Sequence, residues 1–232
     1  MFGIHDDQYK WLLQYLGNEQ PFYFLHYGLA AKKNDSDARG NFSVEELATH
    51  YCQEIERFYS EGPYQLIGYC GGGLIAYEIA RQLVEKGKSV KLLVMCESYP
   101  GGLWKKLSLY QAILFFIRLS WPDKKIRITN IFFNKNTIFK DLTRKTPSFY
   151  HSFEPSFYQG SVIFFEALNK YADRICYLNA SAENWRQLIK GKFDIYKIPG
   201  DHISILNDPD NAKIVANILK PRLSGNDGDK KN

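Results

Sequence analysis

Between residues 62 and 87 the chain reads as a short apolar strand, a five-residue turn with three glycines, and an amphipathic helix, and few folds accept that order. Residues 64–67 are apolar enough for a buried strand. Gly68-Tyr69-Cys70-Gly71-Gly72 makes a tight turn. The helix spans 74–85, with Ile75, Ile79 and Leu83 on one stripe and Gly87 at its C-terminal end. Residues 90–96 then form an almost continuous apolar run, the pattern of a strand buried on both faces of a parallel sheet. A strand–helix–strand unit of this kind crosses over right-handed. The expected fold class is therefore α/β, a mostly parallel sheet with helices on both faces.

The rest of the chain extends the pattern. Residues 7–16 have helical spacing, with Trp11, Leu12, Tyr15 and Leu16 apolar. Residues 21–25 suit a strand. Ser43 followed by Glu46 is a capping box, opening a helix to about Tyr59 whose apolar side is Leu47, Tyr51, Ile55 and Phe58. Residues 161–167 and 193–198 read as two more strands. Asp208 caps a last helix with Pro209 at its first position and Ile214, Val215, Ile218 and Leu219 apolar. The 232 residues, 45% of them hydrophobic, suit one domain over residues 1–223, followed by a polar tail at 224–232 expected to be disordered.

Several function classes lose their footing here. No run approaches the roughly 20 apolar residues that span a bilayer, and no basic-then-apolar leader opens the chain. The cysteines at 52, 70, 96 and 176 lack CxxC spacing, which argues against a zinc site or a disulfide framework and for a reducing cytoplasm. Residues 101–158 hold ten Lys or Arg against three Asp or Glu, within a net charge of +5. No nucleic-acid-binding motif accompanies that excess, so nucleic acid is not expected as a partner. Length and irregularity make residues 101–157 a helical insertion or lid.

The chemistry gathers at three places. Cys70 occupies a nucleophile elbow, G-x-C-x-G directly after a strand and before a helix. Such a turn lifts the nucleophile above the sheet, and the N-terminus of the following helix favours thiolate and oxyanion. The Gly71 N–H is the expected first oxyanion donor. Of the five histidines, only His202, in Gly200-Asp201-His202, lies in a loop between a late strand and the last helix. The orienting acid is expected to be Glu97, at the end of the 90–96 strand, with Glu166 and Asp173 as rivals. The order Cys…Glu…His follows the Ser…Asp/Glu…His order of α/β-hydrolases.

These residues carry a resemblance. The stretch from Gly62 to Leu83, together with 43–48, Ser98-Tyr99-Pro100 and Pro199-Gly200-Asp201-His202, resembles the thioesterase domains that end nonribosomal peptide and polyketide synthases. The likeness covers about residues 7–220 and is weakest in the lid. It implies an α/β-hydrolase fold and no bound cofactor. The acyl or peptidyl chain arrives on the phosphopantetheine arm of a carrier protein, is loaded on the nucleophile, and is released to water, an internal hydroxyl or an amine. It places nucleophile, acid and base on Cys70, Glu97 and His202.

Three departures qualify the implied activity. Cysteine stands where serine is commoner, and its thioester intermediate is more reactive toward amines than an oxyester. Glutamate replaces aspartate. The strand and loop that supply a second oxyanion donor are expected to be missing, or cut to residues 1–5. His26-Tyr27-Gly28 is set aside as that loop, because its distance to Ser43 suits the next strand. A lost donor typically lowers rates by about 10² to 10³, so a relative that binds carrier protein or acyl chains without turnover stands as the alternative. In the lid, Trp104, Phe115, Phe116, Trp121, Phe132 and Phe133 are candidates to line an acyl pocket, and Lys105, Lys106, Lys124, Lys125 and Arg127 to steer an acidic carrier protein.

Overall fold

The computed structural model describes residues 1–4, 8–18, 20–25, 42–100, 153–169 and 182–224. Residues 101–152 of the lid with the aromatic and basic residues named for it, His26-Tyr27-Gly28, Asp173, Cys176 and the tail beyond Ser224 lie outside them.

Six strands form one parallel sheet: β1 (Phe2–Ile4), β2 (Tyr23–Leu25), β3 (Tyr64–Tyr69), β4 (Val90–Cys96), β5 (Val162–Ala167) and β6 (Phe193–Ile198). Their spatial order is β2-β1-β3-β4-β5-β6. The apolar runs are continuous because each strand feeds two cores. Leu66, Leu93, Met95, Val162 and Phe164 face one cluster, and Ile67, Val94, Cys96, Ile163 and Phe165 the other. Helices α2 (Val44–Phe58) and α3 (Gly71–Glu85) cover the first face, with Leu47, Tyr51, Ile55, Ile75 and Ile79 buried there. Helices α1 (Lys10–Leu16) and α5 (Pro209–Leu223) cover the second, and a single-turn helix α4 (Ser204–Asn207) precedes α5. No helix among the described residues is long and apolar enough to cross a membrane.

Local signals in the chain account for the helix ends. The Ser43 hydroxyl accepts the Glu46 N–H at 3.1 Å, and the Glu46 carboxylate accepts the Ser43 N–H at 2.8 Å. Asp208 caps α5 with Pro209 at its first turn. Of the expected apolar faces, Trp11, Tyr15 and Ile218 are half-buried and two positions are exposed. Phe58 is 62% exposed and Ile214 is 39% exposed. Phe58 ends its helix and stacks on Tyr23, ring centroids 4.5 Å apart, at the edge of the sheet. The buried side of α5 is drawn instead by Asn211, Ala212, Val215, Ala216, Leu219 and Leu223.

The N-terminal strand, expected to be missing or cut to residues 1–5, is present in the cut form, which corrects the first of those two expectations. Residues 2–4 form β1, which lies between β2 and β3 and pairs in parallel with both. Three residues suffice because Phe2 and Ile4 are buried in the core, and Gly3 lets the Phe22 ring lie against the backbone. Ile4 stands in register with Gly68, so the chain leaves β1 beside the elbow. β2 is the edge strand beyond it, which agrees with reading 21–25 as the strand after the N-terminal one. Residues 5–7, which follow β1, lie outside the described residues.

Candidate active site

The elbow forms where β3 meets α3. Cys70 has φ 53 and ψ −123, a region that L-residues adopt at a steric penalty. Its own N–H is held by the Cys96 carbonyl at 2.9 Å, while Gly71 opens α3. Gly68 is required at this turn, since a Cβ there would overlap the Gly72 carbonyl and the Gly73 Cα. The half-buried sulfur therefore sits at the N-terminus of a 15-residue helix, at the C-terminal edge of the sheet.

Glu97 follows β4 on the same edge. Its φ is +48, and among the described residues Cys70 and Glu97 are the non-glycine positions with positive φ. Strain of this kind persists where surrounding contacts over-determine it. Here the Glu97 N–H donates to the Phe165 carbonyl at 2.9 Å. Its Oε1 accepts the Ala167 N–H at 2.7 Å and the Tyr99 hydroxyl at 2.8 Å. That leaves Oε2 facing His202 Nδ1 at 3.3 Å.

His202 arrives on the loop after β6. Gly200 takes φ +84 to turn the chain, and the Asp201 carboxylate caps the next turn by accepting the N–H of Ile203 at 3.1 Å and of Ser204 at 2.9 Å. His202 is 6% exposed and Glu97 4%. With Nδ1 turned to Glu97, Nε2 is the nitrogen left for the sulfur of Cys70, to which His202 hydrogen-bonds. Burial pulls the imidazole pKa down, but the hydrogen bonds to Cys70 and Glu97 and their charges outweigh it, raising it to about 9. The site thus favours an imidazolium flanked by two groups that gain from its charge.

The other two thiols among the described residues have no such setting. Burial pushes Cys52 up to about 12, and burial followed by the charge of Glu97 pushes Cys96 up as well. Neither is poised as a nucleophile. Of the rival acids, Glu166 turns away. Strand alternation puts it on the Phe164 side of the sheet, where it accepts the Ala182 N–H at 3.1 Å and lies 3.5 Å from Lys197 Nζ. Glu97→Gln is expected to lower turnover about 10² to 10⁴-fold with the fold retained, because the amide no longer enforces the imidazole tautomer. Glu166→Gln should change turnover less than about threefold. Steady-state rates alongside thermal melts check both, and the reverse ranking would move the acid to β5.

Two tyrosines went unassigned in the sequence. Tyr99 was visible only as part of Ser98-Tyr99-Pro100, and Tyr69 only as the variable residue of G-x-C-x-G. Tyr99 binds the acid, and Tyr69 stacks on the His202 ring at 5.0 Å. No spacing rule reports either contact: Tyr99 turns back on Glu97 two residues earlier in the irregular chain after β4, and Tyr69 meets His202 across 133 residues.

Set beside known proteins, the sequence gives a clear correspondence. Residues 2–113 match the thioesterase domain. The thioesterase match takes in β1, the elbow and Glu97, while His202 lies beyond it. Malpibaldin synthetase of Mortierella alpina is 25% identical over 239 residues, covering 96% of this chain and 4% of that protein. Polyketide synthase PksR of Bacillus subtilis is 38% identical over 81 residues, covering 35% of this chain and 3% of that protein. The chain therefore spans a few per cent of the length of these curated relatives. Among solved structures, the four-domain nonribosomal peptide synthetase AB3403 superposes with TM-score 0.65 at 22% identity, over 94% of this chain and 19% of that one. The NocB thioesterase domain, solved as a covalent complex with a fluorophosphonate nocardicin G analog, gives TM-score 0.60 at 18% identity over 97% and 94%. The fold is that of thioesterase α/β-hydrolase domains.

Proposed function

We propose that this chain is a cysteine-nucleophile thioesterase that releases an acyl or peptidyl chain from the phosphopantetheine thioester of a carrier protein. The observation that carries the proposal is the Cys70–His202–Glu97 array, with its nucleophile and acid on the two positive-φ non-glycine residues among those described. The carrier protein as partner, and a cytoplasmic setting, rest on the likeness to synthases and on the thiol chemistry.

In the first step Cys70 Sγ attacks the thioester carbonyl, and the oxyanion is met by the Gly71 N–H at the start of α3. The pantetheine sulfur leaves with its electron pair and takes the proton of the His202 imidazolium. Sγ now carries the acyl group. In the second step neutral His202 removes a proton from water, an internal hydroxyl or an amine as it attacks the thioester. Cys70 leaves as thiolate and the imidazolium is restored. Glu97 holds the ring in both steps. Binding without turnover stands as the second reading: β1 brings the chain to the elbow, and residues 5–7, where the second oxyanion donor is expected, lie outside the described residues.

Intact-mass measurement after mixing with acyl-pantetheine thioesters tests the proposal. The expected result is a mass increase equal to the acyl group, lost faster when a primary amine is added than in buffer alone. If no thioester of any chain type gives an adduct or free pantetheine, the chain is not a thioesterase.

A further inference from the structure

We infer that Tyr69, the last residue of β3, is a positioning residue that fixes His202 against the nucleophile from the face its catalytic partners leave open. The inference rests on the role of His202 proposed above. The Tyr69 ring lies 5.0 Å from the imidazole, at an interplanar angle of 36°, and its hydroxyl donates to the His202 main-chain carbonyl. Both contacts span 133 residues of sequence. Tyr69 thus grips the base twice, by ring and by backbone, and it belongs to a rigid element. Its main chain pairs with Cys96 of β4, one residue before the acid, and it immediately precedes Cys70 in the chain. One side chain therefore ties the strand that presents the nucleophile to the loop that presents the base.

The physical need is specific. Glu97 holds one nitrogen of the ring and Cys70 the other, which sets the ring's position along its own plane. Neither contact resists tilting about the line joining the two nitrogens. A stacked aromatic face does, and a phenol face also favours the charged imidazolium within about 6 Å of its centroid. Among the described residues, groups bearing on the His202 charge include Cys70 at the start of α3, Glu97 after β4, Asp201 on its own loop and the Tyr69 ring from β3. The hydroxyl secures the loop backbone by donating to the His202 carbonyl.

Substitutions separate the two grips. Tyr69→Phe keeps the ring and removes the hydroxyl. It should lower kcat roughly tenfold at unchanged KM, the scale of one hydrogen bond, and leave the His202 titration midpoint, read by NMR of the imidazole, where it is in the unmodified protein. Tyr69→Leu removes both grips. It should lower kcat about 10²-fold and bring the His202 midpoint down. His202→Ala is assayed in parallel. If His202→Ala turns over normally, the assignment of the base fails. If His202→Ala is inactive while Tyr69→Leu keeps both the midpoint and kcat, the base stands and the role given to Tyr69 is overturned. Should Tyr69→Leu not fold, the kcat of Tyr69→Phe decides alone, and an unchanged value overturns the inference.

Discussion

Cys70→Ala abolishes the acyl adduct and lowers thioester turnover by about 10³-fold or more, while Cys52→Ala, Cys96→Ala and Cys176→Ala still acylate. The size of the effect follows from the chemistry, because without Sγ there is no atom on which the acyl group can be held and the two-step route closes. What remains is the contribution of orientation and the Gly71 donor, which sets the residual rate. Selectivity among the thiols follows from their surroundings. Cys52 donates to the Ile79 carbonyl inside the α2–α3 interface, and Cys96 is fully buried beneath the sheet edge. Both resist ionisation. Only Cys70 combines partial exposure, a helix N-terminus and a histidine, among the three cysteines in the described residues. Peptide mapping of the adduct checks the assignment, and an adduct that survives in Cys70→Ala refutes it.

His202→Ala gives the second large effect, roughly 10³-fold in turnover, and it carries a pH signature. The His202 pKa is raised from 6.5 to about 9. At neutral pH the resting site therefore holds an imidazolium, and the charge is lost only as pH rises through about 9. A thiolate facing that cation is stabilised, so alkylation of Cys70 by iodoacetamide should persist well below the ordinary thiol range of about 8.5. In His202→Ala the alkylation rate should follow an ordinary thiol and fall away below neutrality. Acylation then reverses the local electrostatics. Once Sγ carries an acyl group its charge is gone, the Cys70 contributions that raise the imidazole vanish, and burial pulls the pKa back down. His202 thus becomes a free base when the second step calls for one. Rapid-mixing measurements separate the steps. Acylation should fall off above about pH 9 as the proton donor for the pantetheine sulfur is lost, and deacylation should rise with pH from a lower midpoint. A single shared midpoint for both steps would contradict this scheme.

A good part of the architecture was legible in the sequence because it is written in local signals. The α2 capping box, the Asp208-Pro209 start of α5, and the runs at 90–96 and 193–198 were all readable without partners. Each depends on atoms within a few residues, or on burial demanded by composition. The elbow was legible for the same reason. Gly68 answers a clash inside its own turn, so the motif and its geometry are one fact. In the sequence β1 reads only as a strand either missing or cut to residues 1–5, because a three-residue strand has no period to detect. Its identity comes from parallel pairing with Tyr23–Leu25 and Tyr64–Tyr69, segments that are distant in the chain. Phe58 and Ile214 were read as buried because helical spacing reports which residues share a face, while the width of that face is set by the neighbour it packs on.

The site divides along the same line. By itself the sequence determined the nucleophile turn, the fold class and a short list of acids and bases, since chain order and strand ends constrain those choices. Glu97 and Glu166 remained alternatives because each closes a strand, and nothing local says which way a carboxylate points. Tertiary structure decided that. Parallel pairing of β4 with β5 brings the Ala167 N–H to Glu97 Oε1, and the positive φ of Glu97 takes it out of strand alternation, while Glu166 stays in β5 and is held by the Ala182 N–H and Lys197. Tyr69 gains its contacts with His202 in the same way, from the meeting of the β3 end with the loop after β6. Contacts between elements far apart in sequence depend on register and alternation, and those exist only once the sheet has formed.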